Sequence, residues 1–340
     1  MSLSSPHARV EIDGQLFDSW LQPSLFSSVS VKLKTNESSE ANLTVIDGDY
    51  RFLDSYSRAD GVPVVEANVW LGYGDDLGAP LFGGLLAAAE HGGDQTTLCF
   101  YDHSFNMRRE QRTEYHKGLD IDVIGKLARR SGLDFEGPGK EARGLPLKSK
   151  KQEAQTDWEM AMRLAEEAGL VLYVRGKTLF AKPPARTAAP VLSFGARDAL
   201  LLRGGDGRYK VPENQEGRPG QVEHRGRGRG GKRLSGVSDT NRGTKQLIIN
   251  RSLKGLSQSE ANRRAQAQKE LKREPAFNCR IHSLLQADPR VDVRQTIELT
   301  ERGLLFSGLY LVDSVDHSFS AGKLDTDYDL YRDVKDGSRA

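Results

Sequence analysis

The sequence predicts a mainly β fold with some α structure: two antiparallel β regions, each a barrel or sandwich, flanking a compact α+β insertion. Three observations predict it. Residues 1–106 and the chain from Phe277 onward alternate apolar and polar residues with period two between Gly- and Asp-containing turns. Residues 107–184 switch to helical spacing, followed by a short hairpin. The length of 340 residues suits two or three units at ~150 residues each. The boundaries are a first β domain over 1–106, the insertion over 107–184 and a second β domain over 185–340. The last carries a basic flexible loop at about 204–243 and a helix at about 257–273.

In the first region, Val29 to Lys34 and Ala41 to Ile46 read as strands, and Asp47-Gly48-Asp49 as the turn after them. Val62 to Leu71 follows, then Leu81 to Glu90 and Gln95 to Tyr101 around His91-Gly92-Gly93-Asp94. Strands this short and regularly spaced predict antiparallel pairing.

In the insertion, Ile121, Ile124, Leu127 and Ala128 recur at helical spacing before Gly132, a suitable C-cap. Thr156 with Glu159 three residues on forms a capping-box pattern, and Met160, Leu164 and Ala168 line one helical face. Gly169 stops that helix. Leu170 to Val174 and Thr178 to Ala181, joined by Arg175-Gly176-Lys177, form a hairpin that ends at Pro183-Pro184.

After Pro190 the strand pattern weakens, and it fails between Gly204 and Gly243. Ser259 to Arg273 reads as a solvated helix. The strand pattern returns at Phe277–Leu285, Thr296–Thr300, Gly308–Val315 and Thr326–Tyr331. Two β regions around one insertion suggest a duplicated barrel.

Composition sets limits. Hydrophobic residues at 37% and charged residues at 28% give a soluble globular profile, and a net charge of +2 does not suit a general nucleic-acid coat. Cys99 and Cys279, 180 positions apart, are expected as free thiols in strands, since two cysteines cannot build a structural zinc site alone. Met1 to Val10 lacks the pattern of a signal peptide, and no run of ~18 apolar residues predicts membrane insertion.

Several constellations invite chemistry and fit a plainer role better. Gly72-Tyr73-Gly74-Asp75-Asp76-Leu77-Gly78 has the wrong glycine spacing for a nucleotide loop, and its two carboxylates would repel phosphate; a hairpin turn is expected. His91, His103 and His116 are expected at a turn, a strand end and a loop, without ligand spacing. Asp102-His103-Ser104 places triad residue types side by side, where strand neighbours point to opposite faces. No catalytic, cofactor or metal residues are therefore assigned.

The basic stretch His224 to Arg233 stands apart. Residues 215–245 hold eight Lys/Arg against three Asp/Glu, a local charge of +5. Arg225, Arg227, Arg229, Lys232 and Arg233 are the candidate interaction residues. Three readings stay open: a mobile solvated loop, a contact with an acidic partner on assembly, or non-specific binding to nucleic-acid phosphates. The absence of any Phe, Trp or Tyr between Val211 and Leu256 removes a stacking platform for bases.

Three blocks carry a family resemblance. Trp70-Leu71-Gly72-Tyr73-Gly74, Leu81-Phe82-Gly83-Gly84 and Phe100-Tyr101-Asp102 resemble the first barrel of late-control-D-type phage tail hubs. Gln155-Thr156-Asp157-Trp158-Glu159, Arg163-Leu164-Ala165, Ala168-Gly169-Leu170 and Lys182-Pro183-Pro184 resemble the insertion block. Phe306-Ser307-Gly308-Leu309-Tyr310-Leu311-Val312 and Val315-Asp316-His317-Ser318-Phe319 resemble the ending. The resemblance spans about 25–200 and 255–332, and departs from the family at Gly204–Gly243.

The resemblance implies a non-enzymatic baseplate hub of a phage or contractile injection particle. Its two barrels would be tube domains, and three chains would make a pseudo-sixfold ring joining a sixfold tail tube to a threefold spike. Implied partners are a second and third copy, the spike, tail tube, tape-measure and baseplate proteins, with DNA passing through the lumen as a non-specific contact. The implied location is the virion tail or injection particle, assembled in the bacterial host cytoplasm. A nucleic-acid-binding module acting through the Arg-Gly stretch is the alternative.

Overall fold

The computed structural model describes residues 5–56, 65–139, 146–183, 189–201, 208–209, 219–227, 233–237, 245–250, 257–271, 277–283, 291–301 and 306–332. The first region contains β1 (Pro6–Ile12), β2 (Gln15–Asp18), β3 (Phe26–Lys34), β4 (Glu40–Ile46), α1 (Arg51–Tyr56), β5 (Glu66–Tyr73), β6 (Phe82–Gly92) and β7 (Gln95–Asp102). The period-two alternation becomes inside and outside. Val29, Val31 and Leu33 of β3, Leu43 and Val45 of β4, and Leu98 and Phe100 of β7 are buried. Leu43 is opposite both Val29 and Leu98 in register, so the apolar row continues across three strands.

Gly84 shows why small residues stand in β6. It lies opposite Ala67 of β5, and a Cβ there would come within 2.3 Å of the Tyr101 carbonyl oxygen and 2.6 Å of the Phe82 ring. The strands approach closely because no side chain intervenes.

The insertion has its own core. It comprises α2 (Phe105–Arg108), β8 (Gln111–Leu119), α3 (Asp120–Arg130), β9 (Asp134–Glu136), β10 (Pro146–Thr156), α4 (Asp157–Ala168), β11 (Val171–Arg175) and β12 (Thr178–Lys182). The capping box forms as its sequence pattern implies: Glu159 N–H donates to Thr156 Oγ1 at 3.2 Å, and Thr156 N–H to Glu159 Oε2 at 2.7 Å. Gly169 ends α4 in the left-handed conformation at φ 79°. Ile124 and Leu127 of α3 meet Met160 and Leu164 of α4 over Leu172 and Leu179 of the hairpin. β8 and β10 pair as a separate two-stranded ribbon.

The rest of the chain forms β13 (Leu192–Phe194), β14 (Ala199–Leu201), β15 (Arg208–Tyr209), β16 (Pro219–Arg227), β17 (Arg233–Val237), β18 (Lys245–Asn250), α5 (Gln258–Leu271), β19 (Phe277–Ser283), β20 (Thr296–Leu299), β21 (Gly308–Ser320) and β22 (Lys323–Arg332). The fold is mainly β, as the sequence predicts. Among the described residues, however, the two β regions do not close as separate barrels. Their strands run through one fourteen-stranded sheet, along β14-β19-β22-β21-β3-β4-β7-β6-β5-β1-β2 with β13, β15 and β20 attached. The joint is β3 against β21, with Val315 opposite Leu33, His317 opposite Val31 and Phe319 opposite Val29. Both strands point apolar side chains to the same face, so pairing them merges two β regions over one continuous core.

The sequence reading expects a basic flexible loop at about 204–243, where the strand pattern fails. Much of that segment lies outside the described residues, and the described part holds strands. There β16 pairs antiparallel with β17 and parallel with β18 in a three-stranded sheet. The sequence of β16, Pro219–Arg227, has no apolar alternation, so the period gave no signal. The backbone ladder to β18, with its Leu247-Ile248-Ile249 run, organises the strand instead.

Candidate functional site

Two places combine built geometry with a surface that could meet a partner. The first is the β2 end of the large sheet. There Leu16, Trp20 and Leu21 stay 50%, 41% and 82% exposed, a concentration of apolar surface that marks interaction sites. The geometry around Trp20 is rigid. His7 in β1 places its two ring nitrogens 3.0 Å from the Gly74 carbonyl oxygen and 3.0 Å from Asp18 Oδ2. The Trp20 indole stacks on that imidazole at 4.0 Å with an interplanar angle of 10°. Its Nε1–H donates to the Pro6 carbonyl at 2.9 Å.

Asp18 organises the corner. It accepts from the Trp20 N–H at 2.9 Å and from Arg9 Nε at 3.3 Å. Burial pushes its carboxyl up, but the Trp20 amide, His7 and Arg9 together outweigh that and hold it below the ordinary carboxylate range. An exposed tryptophan held by three named contacts loses little freedom on binding, which favours it as an anchor at an interface.

The second place is the junction of the three regions. Arg175 at the end of β11 donates from Nε to Asp292 Oδ2 at 2.7 Å, and its second guanidinium nitrogen meets Asp292 Oδ1. Its third nitrogen reaches Ser39 Oγ at 3.4 Å. Ser39 N–H in turn donates to the buried Asp102 carboxylate at 2.6 Å. One guanidinium thus touches the insertion, the β3–β4 turn and the loop before β20. Asn36 reinforces it, donating to the Leu172 carbonyl at 2.7 Å and accepting from its N–H at 2.9 Å. Arg294 adds bonds to Tyr173 Oη at 3.1 Å and the Pro183 carbonyl at 2.6 Å.

Burial raises the Asp102 carboxyl despite its hydrogen bonds from Ser39 and Ser104. Its neighbours are not arranged for acyl transfer: Ser104 Oγ bonds Ser38 Oγ at 3.0 Å, and His103 Nε2 faces Glu66 at 3.5 Å. His91 lies within β6, bonded to Thr96 with its ring tilted against Tyr50 at 4.1 Å, and His116 lies within β8 against Gln152 at 2.8 Å. The expected turn and loop positions for these two histidines are corrected to strands. Among the described residues no three metal-ligating side chains gather. Gly72 and Tyr73 close β5, and the chain from Gly74 through Gly78 leads on toward β6, with Gly78 N–H donating to Asp76 Oδ1 at 3.0 Å. Cys99 in β7 and Cys279 in β19 form no disulfide. No helix of the described residues is long and apolar enough to cross a membrane.

Of the five basic candidates, Arg225 and Arg227 lie in β16 and Arg233 in β17, while Arg229 and Lys232 lie outside the described residues. The register sets Arg227 directly opposite Arg233. The sequence reading missed His7, Asp18, Trp20, Arg175 and Asp292. Trp20-Leu21 after a short strand was the one local signal, and Arg175 with Asp292 gave none.

A family model described as the Alg8 N-terminal domain matches residues 5–200. Comparison with curated proteins finds no match. Among solved structures, a 43 kDa tail protein of prophage MuSo2 from Shewanella oneidensis superposes with a TM-score of 0.63 at 12% identity, covering 96% of this chain and 98% of that one. A tail protein from Neisseria meningitidis gives 0.64 at 13% identity, covering 97% of each chain. The E. coli c3393 protein, a type VI secretion component, gives 0.56 at 10% identity over 96% of this chain and 77% of that one. The chain therefore shares its fold with phage tail proteins and a type VI secretion component.

Proposed function

The chain belongs to the Alg8 N-terminal domain family, and from the fold it shares with tail proteins we propose that it is a structural hub of a phage tail or contractile injection particle. The observation that carries the reading is a fold matched end to end by tail proteins, over 96% and 97% of this chain. Residues 1–106 and 185–340 serve as tube domains and 107–184 as the insertion. Three chains form a pseudo-sixfold ring that joins a sixfold tube to a threefold spike and contacts tape-measure and baseplate proteins. The protein assembles in the bacterial host cytoplasm and resides in the particle. It works by interface burial and symmetry matching, without catalysis.

The exposed Trp20 corner supports a subunit contact at the β2 edge, because an open sheet end with apolar side chains invites pairing. The Arg225–Arg233 segment contacts an acidic partner surface or DNA in the lumen. The register brings Arg227 and Arg233 to facing positions of β16 and β17, which gathers positive charge at one end of the ladder. A primary role as a nucleic-acid-binding module is not favoured, since no aromatic accompanies the segment.

The test is the solution mass by light scattering over a range of concentrations, alone and with the cognate spike. A mass near three times 37.6 kDa alone, or that much above the spike's own mass when the two are mixed, supports the hub. A monomer in both conditions overturns the ring.

A further inference from the structure

The Arg-Gly hairpin does not stand on the large sheet. β16 and β17 pack on α5, where the Asn262 side-chain oxygen accepts the Val237 N–H at 3.0 Å and Gln258 donates to the Ser235 carbonyl. α5 in turn packs on α4 of the insertion. Its described buried face is small: Ala261 and Ala265 at 0% exposure and Arg264 at 6%. Arg264 is thus a charged side chain buried beside two alanines on the described face of the helix, and it needs an opposite charge there.

The charges converge on Glu167 in the last turn of α4. Glu167 is buried and takes Arg264 of α5 on one carboxylate oxygen and Lys150 of β10 on the other. Lys150 also feels the positive charges of Arg264 and Arg163. Burial pushes the Lys150 ammonium down, the two arginines add to that, and Glu167 opposes it. One carboxylate thus offsets cations contributed by β10, α4 and α5. Arg163 is also tied back, donating to the Lys151 carbonyl at 2.7 Å.

We propose that α5 and the β16–β17 hairpin move as one unit, latched to the insertion by Glu167. Without that carboxylate, Arg264 and Lys150 lose the charge that both meet, and their mutual repulsion works against the docked helix. A buried charge that loses its partner is strongly destabilising, whereas the intact group mainly sets one arrangement over others. Glu167 thereby sets where Arg225, Arg227 and Arg233 stand relative to the insertion, whichever partner they meet. This separates the position of the basic segment from the stability of the large sheet.

Hydrogen–deuterium exchange on the full chain tests it, comparing the wild type with Glu167→Gln and Arg264→Met. The expected result is amide exchange about tenfold faster or more in 258–271 and 233–237 in Glu167→Gln. Arg264→Met gives a smaller increase confined to the same segments, because it loses the latch without leaving an unpaired cation. Exchange in α3 and in β3, β4 and β7 stays at the wild-type rate. Unchanged exchange in α5 overturns the latch, as does an increase spread evenly over insertion and sheet. Should Glu167→Gln fail to fold, Arg264→Met decides alone, because it alters only the helix that detaches.

Discussion

Arg175 and Asp292, 117 positions apart in sequence, form a two-point ion pair that ties the insertion to the second β region, with Arg175 Nε 2.7 Å from Asp292 Oδ2. Planar pairs of this kind fix direction as well as distance, and Arg175 is further bonded to Ser39 of the first region. The three parts of the chain meet at this side chain.

Arg175→Met is expected to lower stability by about 2 kcal/mol, the scale of charge-assisted hydrogen bonds, discounted for the partial exposure of both partners. Asp292→Asn should cost less than Arg175→Met, and the double variant less than the sum, since both remove the same contact. Urea denaturation of the three variants measures this; strict additivity would show that the two residues act independently.

Trp20→Ser is expected to leave the urea midpoint close to wild type and to weaken self-association at least tenfold. The indole is partly exposed and packs chiefly on His7, so its loss leaves no large cavity. Light scattering across concentrations reads the shift. A wild-type association constant would remove the β2 edge from the subunit contact.

Asp316→Asn is expected to stabilise the protein at neutral pH. Burial raises the Asp316 carboxyl, with Asp327 and Glu40 adding to it and Lys32 and Arg280 opposing. In the register Asp316 faces Asp327 on one side and Lys32 on the other. A carboxyl whose folded pKa is raised contributes stability below its unfolded pKa and loses it as pH rises through the folded value. Wild-type stability should therefore fall over that window, and the variant should fall less. Thermal melts from pH 4 to pH 8 test it, and parallel curves would refute it.

Gly84→Ala should destabilise by about 1–3 kcal/mol through overpacking. The added methyl would meet backbone oxygen of Tyr101, which cannot move without breaking the β6–β7 ladder. Gly92→Ala, with open space around its Cβ, is the control and should melt near wild type.

Thr156→Ala should cost about 1 kcal/mol, because the α4 cap loses its side-chain acceptor and the reciprocal Glu159 bond loses its setting. A comparison of urea midpoints measures it.

Local chemistry made much of the fold legible. The α4 boundaries followed from Thr156, Glu159 and Gly169, whose caps act within one turn. β3, β4 and β7 followed from alternation, because one face of each is buried. β16 and β17 were not legible, since their pairing rests on backbone groups that any sequence supplies. β8 was missed for a related reason: only His116 of its nine residues is buried, so no alternation marks it.

By itself the sequence determined the class of fold, the helix caps and the inward face of each alternating strand, because those depend on period and short-range chemistry. The tertiary structure alone decided that β3 pairs with β21, that Trp20 rests on His7, that Arg175 meets Asp292 and that Glu167 holds Arg264. Each joins residues that no local pattern relates. Their partners are chosen by how much apolar surface and charge the whole chain can bury at once.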